Sequence, residues 1–206
     1  MSGRVKATAL ALLALALPAA AQERPTLTPQ RDVAVTYRVA TEGQAGEMRM
    51  SWLAAQGLMR MDMPGGQGWM VVSLRDGTGF LAMEPMRALM PIPAGASAHE
   101  RLTASPTARF TREGQERVAG LPCTLWRVED AGEQGRMCVS AEGVVLRAEG
   151  SGGRSGAGRL EATAVAFAPQ DPARFRRPEG FREVQSPFGG SRGSALPPPG
   201  MAPPTR

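Results

Sequence analysis

The sequence predicts an all-β domain, or a β-rich α+β domain, whose antiparallel strands form a meander that curls into a half-barrel with little helix. Three observations support this fold class. From Asp32 onward, apolar and polar residues alternate with the period of two that is typical of half-buried strands. Glycine-containing turns separate these segments, and no long segment has the period of an amphipathic helix. Short strands joined by tight turns favour an antiparallel sheet.

The first three predicted strands each have one apolar face. Its members are Val33, Val35, Tyr37 and Val39 in the first strand, Met48, Met50 and Trp52 in the second, and Met59, Met61 and Met63 in the third. Alternate residues of a strand project to the same side of the sheet. The second and third strands therefore form a hairpin with one methionine-rich face.

Residue type also predicts the register of this hairpin. A turn centred between residues 55 and 56 gives the pairs Trp52–Met59, Met50–Met61 and Met48–Met63 on one face, and Arg49–Asp62 and Ser51–Arg60 on the other. A slip of one residue would set methionines against charged side chains. The burial pattern should therefore fix this pairing.

The remaining segments predict further strands. They are "WMVVSL", "FLAMEPM", "RFTREGQERVAGLPCTLWRVE", "RMCVSA", "GVVLRAE" and "RLEATAVAFA". Between them, "PMRALM" (85–90) is interpreted as one helical turn, followed by a Pro- and Ala-rich loop to residue 107. In the late segment "DPARFRRPEGFREV", Phe175 and Phe181 are expected to cap the sheet.

The N-terminal segment predicts export. Residues 1–21 combine a basic leader (Arg4, Lys6), a short apolar run and a small-residue cleavage site, the layout of a cleavable signal peptide. The apolar run is too short for a stable membrane anchor. We divide the rest into a polar lead-in (22–30), a single β domain (31–184) and a disordered Pro- and Gly-rich tail (185–206). The predicted localisation is periplasmic.

Charge and cysteine content agree with an exported protein. Loss of Arg4 and Lys6 lowers the formal charge from +5 to +3, and the arginines are interleaved with acids, as in "TREGQERV". Nucleic acid is therefore not expected as a partner. The two cysteines, Cys123 and Cys138, are predicted to form a disulfide. A turn centred between residues 130 and 131 would place them opposite each other, with Trp126 opposite Gly135.

Residues for catalysis are scarce, so we do not predict an enzyme or a cofactor. The single histidine, His99, lies in the proline-rich loop, away from any nucleophile motif such as GxSxG. "SGGRSGAGR" lacks the Gly-Lys-Ser/Thr end of a phosphate loop. No Cys/His spacing suits zinc.

Methionine is the unusual feature of the sequence. Nine methionines lie between Met48 and Met90. Thioethers are soft ligands that suit Cu(I), but methionine also fills cores and lines surfaces that bind variable apolar ligands. Since the neighbouring positions on the hairpin face are apolar, we favour core or cavity lining over copper.

The chain also resembles a known group of proteins. Its order is a signal peptide, a strand, the hairpin "GEMRMSWLAAQGLMRMDMPGGQGWMVVSLRDGTGFLAM", then "ERVAGLPCTLWRVEDAGEQGRMCVSAEGVVLRAEG", and a late "ARFRRPEGF". The basic-acidic pair Arg60 and Asp62 before a glycine turn, and the later Gly120-Leu121-Pro122-Cys123, are similar to exported bacterial proteins of the LolA/LolB-like superfamily, particularly its members with a domain of unknown function. This resemblance implies a curled antiparallel sheet with an apolar concave face.

From these features we predict a soluble periplasmic module that binds an apolar ligand, such as a lipid, an acyl chain or lipoprotein-like cargo, on its concave face. The predicted lining residues are Met48, Met50, Trp52, Met59, Met61, Met63, Trp69 and Met70. Two alternatives remain open: a methionine-rich copper-handling protein, and an envelope protein that binds partners through its Pro-rich tail.

Overall fold

A computed structural model of the chain describes residues 23–41, 44–94, 105–130, 132–151 and 158–185. These residues form one sheet of twelve strands. The strands are β1 (Val33–Thr41), β2 (Gln44–Leu53), β3 (Leu58–Asp62), β4 (Gly68–Ser73), β5 (Gly79–Met83), β6 (Ala88–Ile92), β7 (Arg109–Val118), β8 (Leu121–Asp130), β9 (Glu133–Val139), β10 (Val145–Ser151), β11 (Gly158–Ala166) and β12 (Arg182–Glu183). Short 3₁₀ helices lie at Ala54–Gln56, Pro64–Gly66 and Pro172–Phe175.

The sheet consists of two meanders joined in the middle. Its strand order is β12-β6-β5-β4-β3-β2-β1-β11-β10-β9-β8-β7, so β1 through β6 are neighbours in sequence order, as are β7 through β11. The antiparallel pair β1–β11 connects the two meanders, and the only parallel pair among the described strands is β12–β6. The predicted fold class, a curled and unclosed antiparallel meander with little helix, is confirmed.

The predicted register of the methionine hairpin is confirmed. Trp52 pairs with Met59 and Met50 with Met61, while Arg49 faces Asp62 and Ser51 faces Arg60. We call the side of strands β1–β6 that bears Met50 and Met61 the inner face. The side that bears Arg60 is the outer face.

The main core lies where the sheet curls over the inner face. Val33, Val35 and Tyr37 of β1 are almost fully buried there. They belong to the same cluster as Cys123, Cys138 and Leu146 of the second meander. The tyrosine hydroxyl donates to the carbonyl oxygen of Val145 at 2.9 Å. This bond links the two meanders across the core.

The outer face is covered by residues 168–185, as predicted for the closing segment. Phe175 is 4% exposed and packs with Val71, Phe80 and Leu89, and Phe181 packs at the margin of the same cluster. Asp32 fixes the start of this segment: its two carboxylate oxygens accept from the backbone N–H groups of Ala54 and Gln170, at 2.8 and 2.9 Å.

Two local predictions are wrong. Residues 85–90 do not form a helical turn: the chain turns at Glu84–Arg87 and then enters β6 at Ala88, where pairing with β5 and β12 satisfies its backbone. In the β8–β9 hairpin, Cys138 faces Leu125, and Trp126 faces Met137 rather than Gly135. The strands flank residues 131–132, where Gly132 has a φ of +86°, a conformation that favours glycine and that sets the turn one residue later than predicted.

The lead-in makes contacts that its polarity did not predict. Leu27 packs against a third cluster, which contains Phe110 and Trp126. The guanidinium of Arg24 lies 5.1 Å from the centre of the Phe110 ring and donates to the carbonyl oxygen of Pro106 at 2.8 Å. These residues therefore cover part of the second meander.

Several sequence-based predictions concern parts of the chain outside the described residues. These are the signal peptide (1–21), His99, the glycine-rich turn around 152–157 and the tail from Ser186 onward. Within the described part of the chain, no helix is long and apolar enough to cross a membrane.

Candidate functional site: the inner methionine face

The inner face of β1–β6 is built from cross-strand rows of apolar side chains. The first row contains Val33, Trp52, Met59 and Val72, which pair in turn across β1 to β4. All four are buried: Trp52 is 8% exposed and Met59 1%. This row forms the floor of the inner face and belongs to the main core.

The second row changes character along its length. It comprises, in order of pairing from β1 to β6, Val35, Met50, Met61, Met70, Leu81 and Met90. Val35 and Met50 are buried, whereas the last four are half-buried. The inner face therefore becomes accessible as it passes from β2 to β3.

The third row is interrupted by a glycine. Met48 pairs with Tyr37, and the N–H of Met63 donates to the carbonyl oxygen of Gly68 at 2.9 Å. Gly68 in turn pairs with Met83. A Cβ atom at residue 68 would lie 2.0 Å from the carbonyl oxygen of Ala82, so no larger residue fits without moving the backbone. Bare backbone therefore lies between Met63 and Met83.

Together the second and third rows present one apolar surface, which we call the methionine surface. Its members are half-buried: Met48, Met61, Met63, Met70, Leu81, Met83 and Met90. The surface spans five strands, so it is about 19 Å long across the strands and about 7 Å wide between the rows. Methionine side chains are unbranched and adaptable, which suits contact with an irregular apolar partner.

The structure sorts the eight predicted lining residues into three groups. Met50, Trp52 and Met59 are buried, Met50 in the second row and the other two in the floor. The four remaining methionines of the set, 48, 61, 63 and 70, belong to the methionine surface. Trp69 corrects the predicted set, because it pairs with Asp62 and lies on the outer face. Its ring centre is 5.9 Å from that of Phe181.

Sequence reasoning missed three members of the methionine surface: Leu81, Met83 and Met90. The alternation of Leu81 and Met83 in "GFLAM" was a signal for the first two. Met90 could not be assigned to a face while residues 85–90 were interpreted as helical.

The outer face shows why Arg60 and Asp62 are present. Arg60 Nε donates to Asp62 Oδ1 at 2.6 Å, and Arg174 donates to Asp62 Oδ2 at 3.0 Å. The Arg60 guanidinium lies 4.5 Å from the centre of the Trp69 ring. The basic-acidic pair therefore anchors the covering segment to the sheet, which is a structural role.

The predicted disulfide is present and lies at the base of the second meander. Cys123 and Cys138 have a Cα–Cα distance of 5.4 Å and are both buried in the main core. They are diagonal neighbours on β8 and β9, because Leu125 faces Cys138. The bond ties two strands that pack over the inner face.

Shifted pKa values occur at structural hydrogen bonds and at one buried hydroxyl. The hydrogen bond from Arg159 holds the pKa of the Glu161 carboxyl below its usual range, and a backbone N–H from Thr78 does the same for Asp76. Burial raises the pKa of the Tyr37 hydroxyl. In the described residues, no group of three His, Cys, Asp or Glu side chains is placed to hold a metal ion.

An open cleft of about 780 Å³ lies elsewhere, where β8–β11 meet the end of β1. Three arginines line it, and each has an acidic partner. Arg127 and Arg136 pair with Glu113, and Arg159 pairs with Glu161. Glu149 also lines the cleft, so three carboxylates balance the three guanidinium groups, and this cleft is a weaker candidate for a binding site than the apolar methionine surface.

Comparison with known proteins places the chain in a family. Residues 36–149 match the model of a family described as a domain of unknown function, DUF4412. No curated protein matches the chain.

Solved structures share the fold at low sequence identity. An uncharacterised conserved protein from Thermus thermophilus has a TM-score of 0.57 and 15% identity over 76% of this chain and 91% of its own. MucB, in the MucA/MucB complex of Pseudomonas aeruginosa, has a TM-score of 0.53 and 15% identity over 84% of this chain. The match spans only 63% of the MucB chain.

A domain named for outer membrane lipoprotein sorting, from Vibrio parahaemolyticus, aligns with a TM-score of 0.39 and 12% identity, over 71% of this chain and 89% of its own. The family that the comparisons show for the chain is DUF4412, a domain of unknown function, which agrees with the unknown-function branch of the resemblance seen in the sequence.

Proposed function

The chain belongs to the DUF4412 family, and from that premise we propose that it is an exported, periplasmic binding module whose methionine surface holds an apolar ligand. The ligand class is a lipid, an acyl chain or the acylated end of a lipoprotein-like cargo. The role is binding and transfer rather than catalysis.

The observation that supports this proposal is the half-buried state of seven adjacent apolar side chains on one face. Contiguous apolar patches on soluble proteins commonly mark interaction sites. The surface is long and narrow, and no charged side chain lies within its two rows between β2 and β6. A linear hydrocarbon chain laid across the strands would gain roughly 0.8 kcal/mol for each buried methylene.

Two further facts agree with the proposal. A disulfide persists in an oxidising compartment, as expected for an exported protein. A similar fold is seen in MucB bound to MucA, so this sheet architecture is compatible with binding another protein. Lipoprotein-like cargo would combine an apolar contact through its acyl chain with a protein–protein contact.

The test is native mass spectrometry of protein purified from the periplasm, followed by titration with fatty acids and lipopeptides. We expect a co-purified apolar ligand, or binding that strengthens as the acyl chain lengthens. Protein that is ligand-free and indifferent to these compounds would contradict the proposal.

A pair of polar variants locates the binding surface. Met61→Gln with Met70→Gln keeps side-chain length but adds amides to the methionine surface, and should weaken binding at least ~10-fold, the equivalent of about 1.4 kcal/mol. Met86→Gln is the matched control, because Met86 is 55% exposed in the β5–β6 turn. Equal affinity in both variants would show that the ligand binds somewhere other than the methionine surface.

A further inference from the structure

Three thioethers lie at directly paired positions on three adjacent strands. Met50 of β2 pairs with Met61 of β3, and Met61 pairs with Met70 of β4. Directly paired residues have Cα atoms roughly 4.5–5.5 Å apart. Met50 and Met70 lie on either side of Met61, roughly 10 Å apart across three strands. Flexible methionine side chains on one face can bring their sulfur atoms together over this distance.

A fourth thioether lies beside these three. Met63 follows Met61 by two residues, and its backbone hydrogen bond to Gly68 keeps it paired with β4. Residue 68 has no side chain and is buried against the backbone of Ala82, so no side chain separates Met63 from Met83 in this row. Met61, Met63 and Met70 are half-buried, while Met50 is 6% exposed and forms the base of the group.

The surroundings determine which ion could bind. Thioether sulfur is a soft, uncharged ligand that suits Cu(I), whereas hard cations require oxygen ligands. The rows around these methionines are apolar, and both cysteines are already joined in the disulfide. Among metal ions, a soft monovalent ion is the one that these uncharged sulfur ligands suit.

We infer that Met50, Met61 and Met70, with Met63 alongside, form a binding site for a soft monovalent metal ion, Cu(I). This inference concerns the same face as the apolar ligand but does not depend on that function. Binding displaces no proton, because thioethers do not titrate. Affinity should therefore be constant between about pH 5 and pH 8, unlike that of histidine or carboxylate sites.

The experiment uses Ag(I) as an air-stable probe, with native mass spectrometry for stoichiometry and methionine-methyl NMR for location. We expect one ion per chain and shifted methyl signals for Met50, Met61 and Met70. Competition with a Cu(I) chelator under reducing conditions should then show affinity tighter than micromolar.

The decisive variant is Met61→Leu with Met70→Leu, since this exchange nearly conserves volume and apolar character. Loss of even an outer-shell partner can cost roughly 10–100-fold in metal affinity, so loss of two ligands should weaken Ag(I) binding at least ~100-fold. The control Met86→Leu should bind as the wild type does. Unchanged binding in the double variant, or several ions bound with shifts at Met86, would overturn the inference.

Separate titrations of the wild-type protein with Ag(I) and with a fatty acid distinguish the two proposals. If neither compound binds the wild-type protein, both proposals fail. If fatty acids bind and Ag(I) does not, only the metal site is wrong.

Discussion

The inner and outer faces of strands β2–β5 use alternate residues of the same short segments but end in different environments. On the outer face, Val71 and Phe80 are 3% and 5% exposed, because Phe175 and the rest of residues 168–185 lie over them. On the inner face, their neighbours Met70 and Leu81 are half-buried. One face is completed by the chain itself, and the other is only partly covered by the described residues.

This difference separates residues that stabilise the fold from those of the proposed binding surface within one sheet. The outer face packs against a fixed segment of the chain, so its contacts require particular residues. Asp62 accepts hydrogen bonds from Arg60 and Arg174, and Phe175 packs in the buried cluster. The methionine surface has adaptable side chains and no polar contact that selects one geometry. Substitutions on the outer face should therefore destabilise the fold, and those on the methionine surface should mainly change binding.

The largest expected effect is on the outer face. Phe175→Ala should lower the free energy of unfolding by about 3–5 kcal/mol, because it removes a fully buried aromatic ring and leaves a cavity. Chemical denaturation followed by tryptophan fluorescence measures this loss. Met86→Ala, at an exposed position, should change stability by less than ~0.5 kcal/mol. Similar values for the two variants would show that residues 168–185 are not part of the core.

The second prediction concerns the filled end of the inner face. Tyr37→Phe removes the hydrogen bond to Val145 and should cost about 1 kcal/mol at neutral pH. Burial raises the pKa of Tyr37, so above about pH 10 the unfolded chain releases a proton that the folded chain keeps. The free energy of unfolding then falls as pH rises, by up to ~1.4 kcal/mol per pH unit.

The measurement is direct because the chain has one tyrosine. Tyrosinate absorbance in the folded protein should stay low until the protein unfolds at high pH. In the Tyr37→Phe variant, the free energy of unfolding should lose the part of its pH dependence that comes from tyrosine. A freely titrating tyrosine in the native state would show that this end of the inner face is open to solvent.

The third prediction concerns the methionine surface itself. Met61→Leu with Met70→Leu should change the free energy of unfolding by less than ~1.5 kcal/mol, because both positions are half-buried and the exchange conserves volume. The same denaturation experiment measures it. A loss of unfolding free energy as large as that of Phe175→Ala would mean that these methionines are core residues and not part of an accessible surface.

The parts of the fold that could be predicted are those determined by the alternation of apolar and polar residues within neighbouring segments. The β2–β3 register was predictable because a slip of one residue would oppose methionines and charges. The β8–β9 register was not, since the predicted and observed pairings differ by two residues, and both leave Cys123 and Cys138 on the same side of the strands. Only the turn geometry at Gly132 distinguishes them.

Long-range contacts decide the rest. The segment that contains β6 is rich in Met, Ala and Leu, which favour helix, and its strand conformation comes from pairing with β5 and β12. The identity of the methionine face was predictable from alternation alone. Which methionines are half-buried was not, because it depends on how far the second meander packs over the first.

The open sheet has a consequence for how the protein meets other chains at high concentration. An unclosed sheet ends in two strands whose free backbone groups can recruit another chain. At one end, β7 has a bulge between Arg112 and Gly114, and charged residues such as Arg109 and Glu116 along its length. At the other, β6 is capped by β12, a parallel strand of only two residues. Among the described strands, both ends of the sheet therefore carry features that discourage chain-to-chain polymerisation.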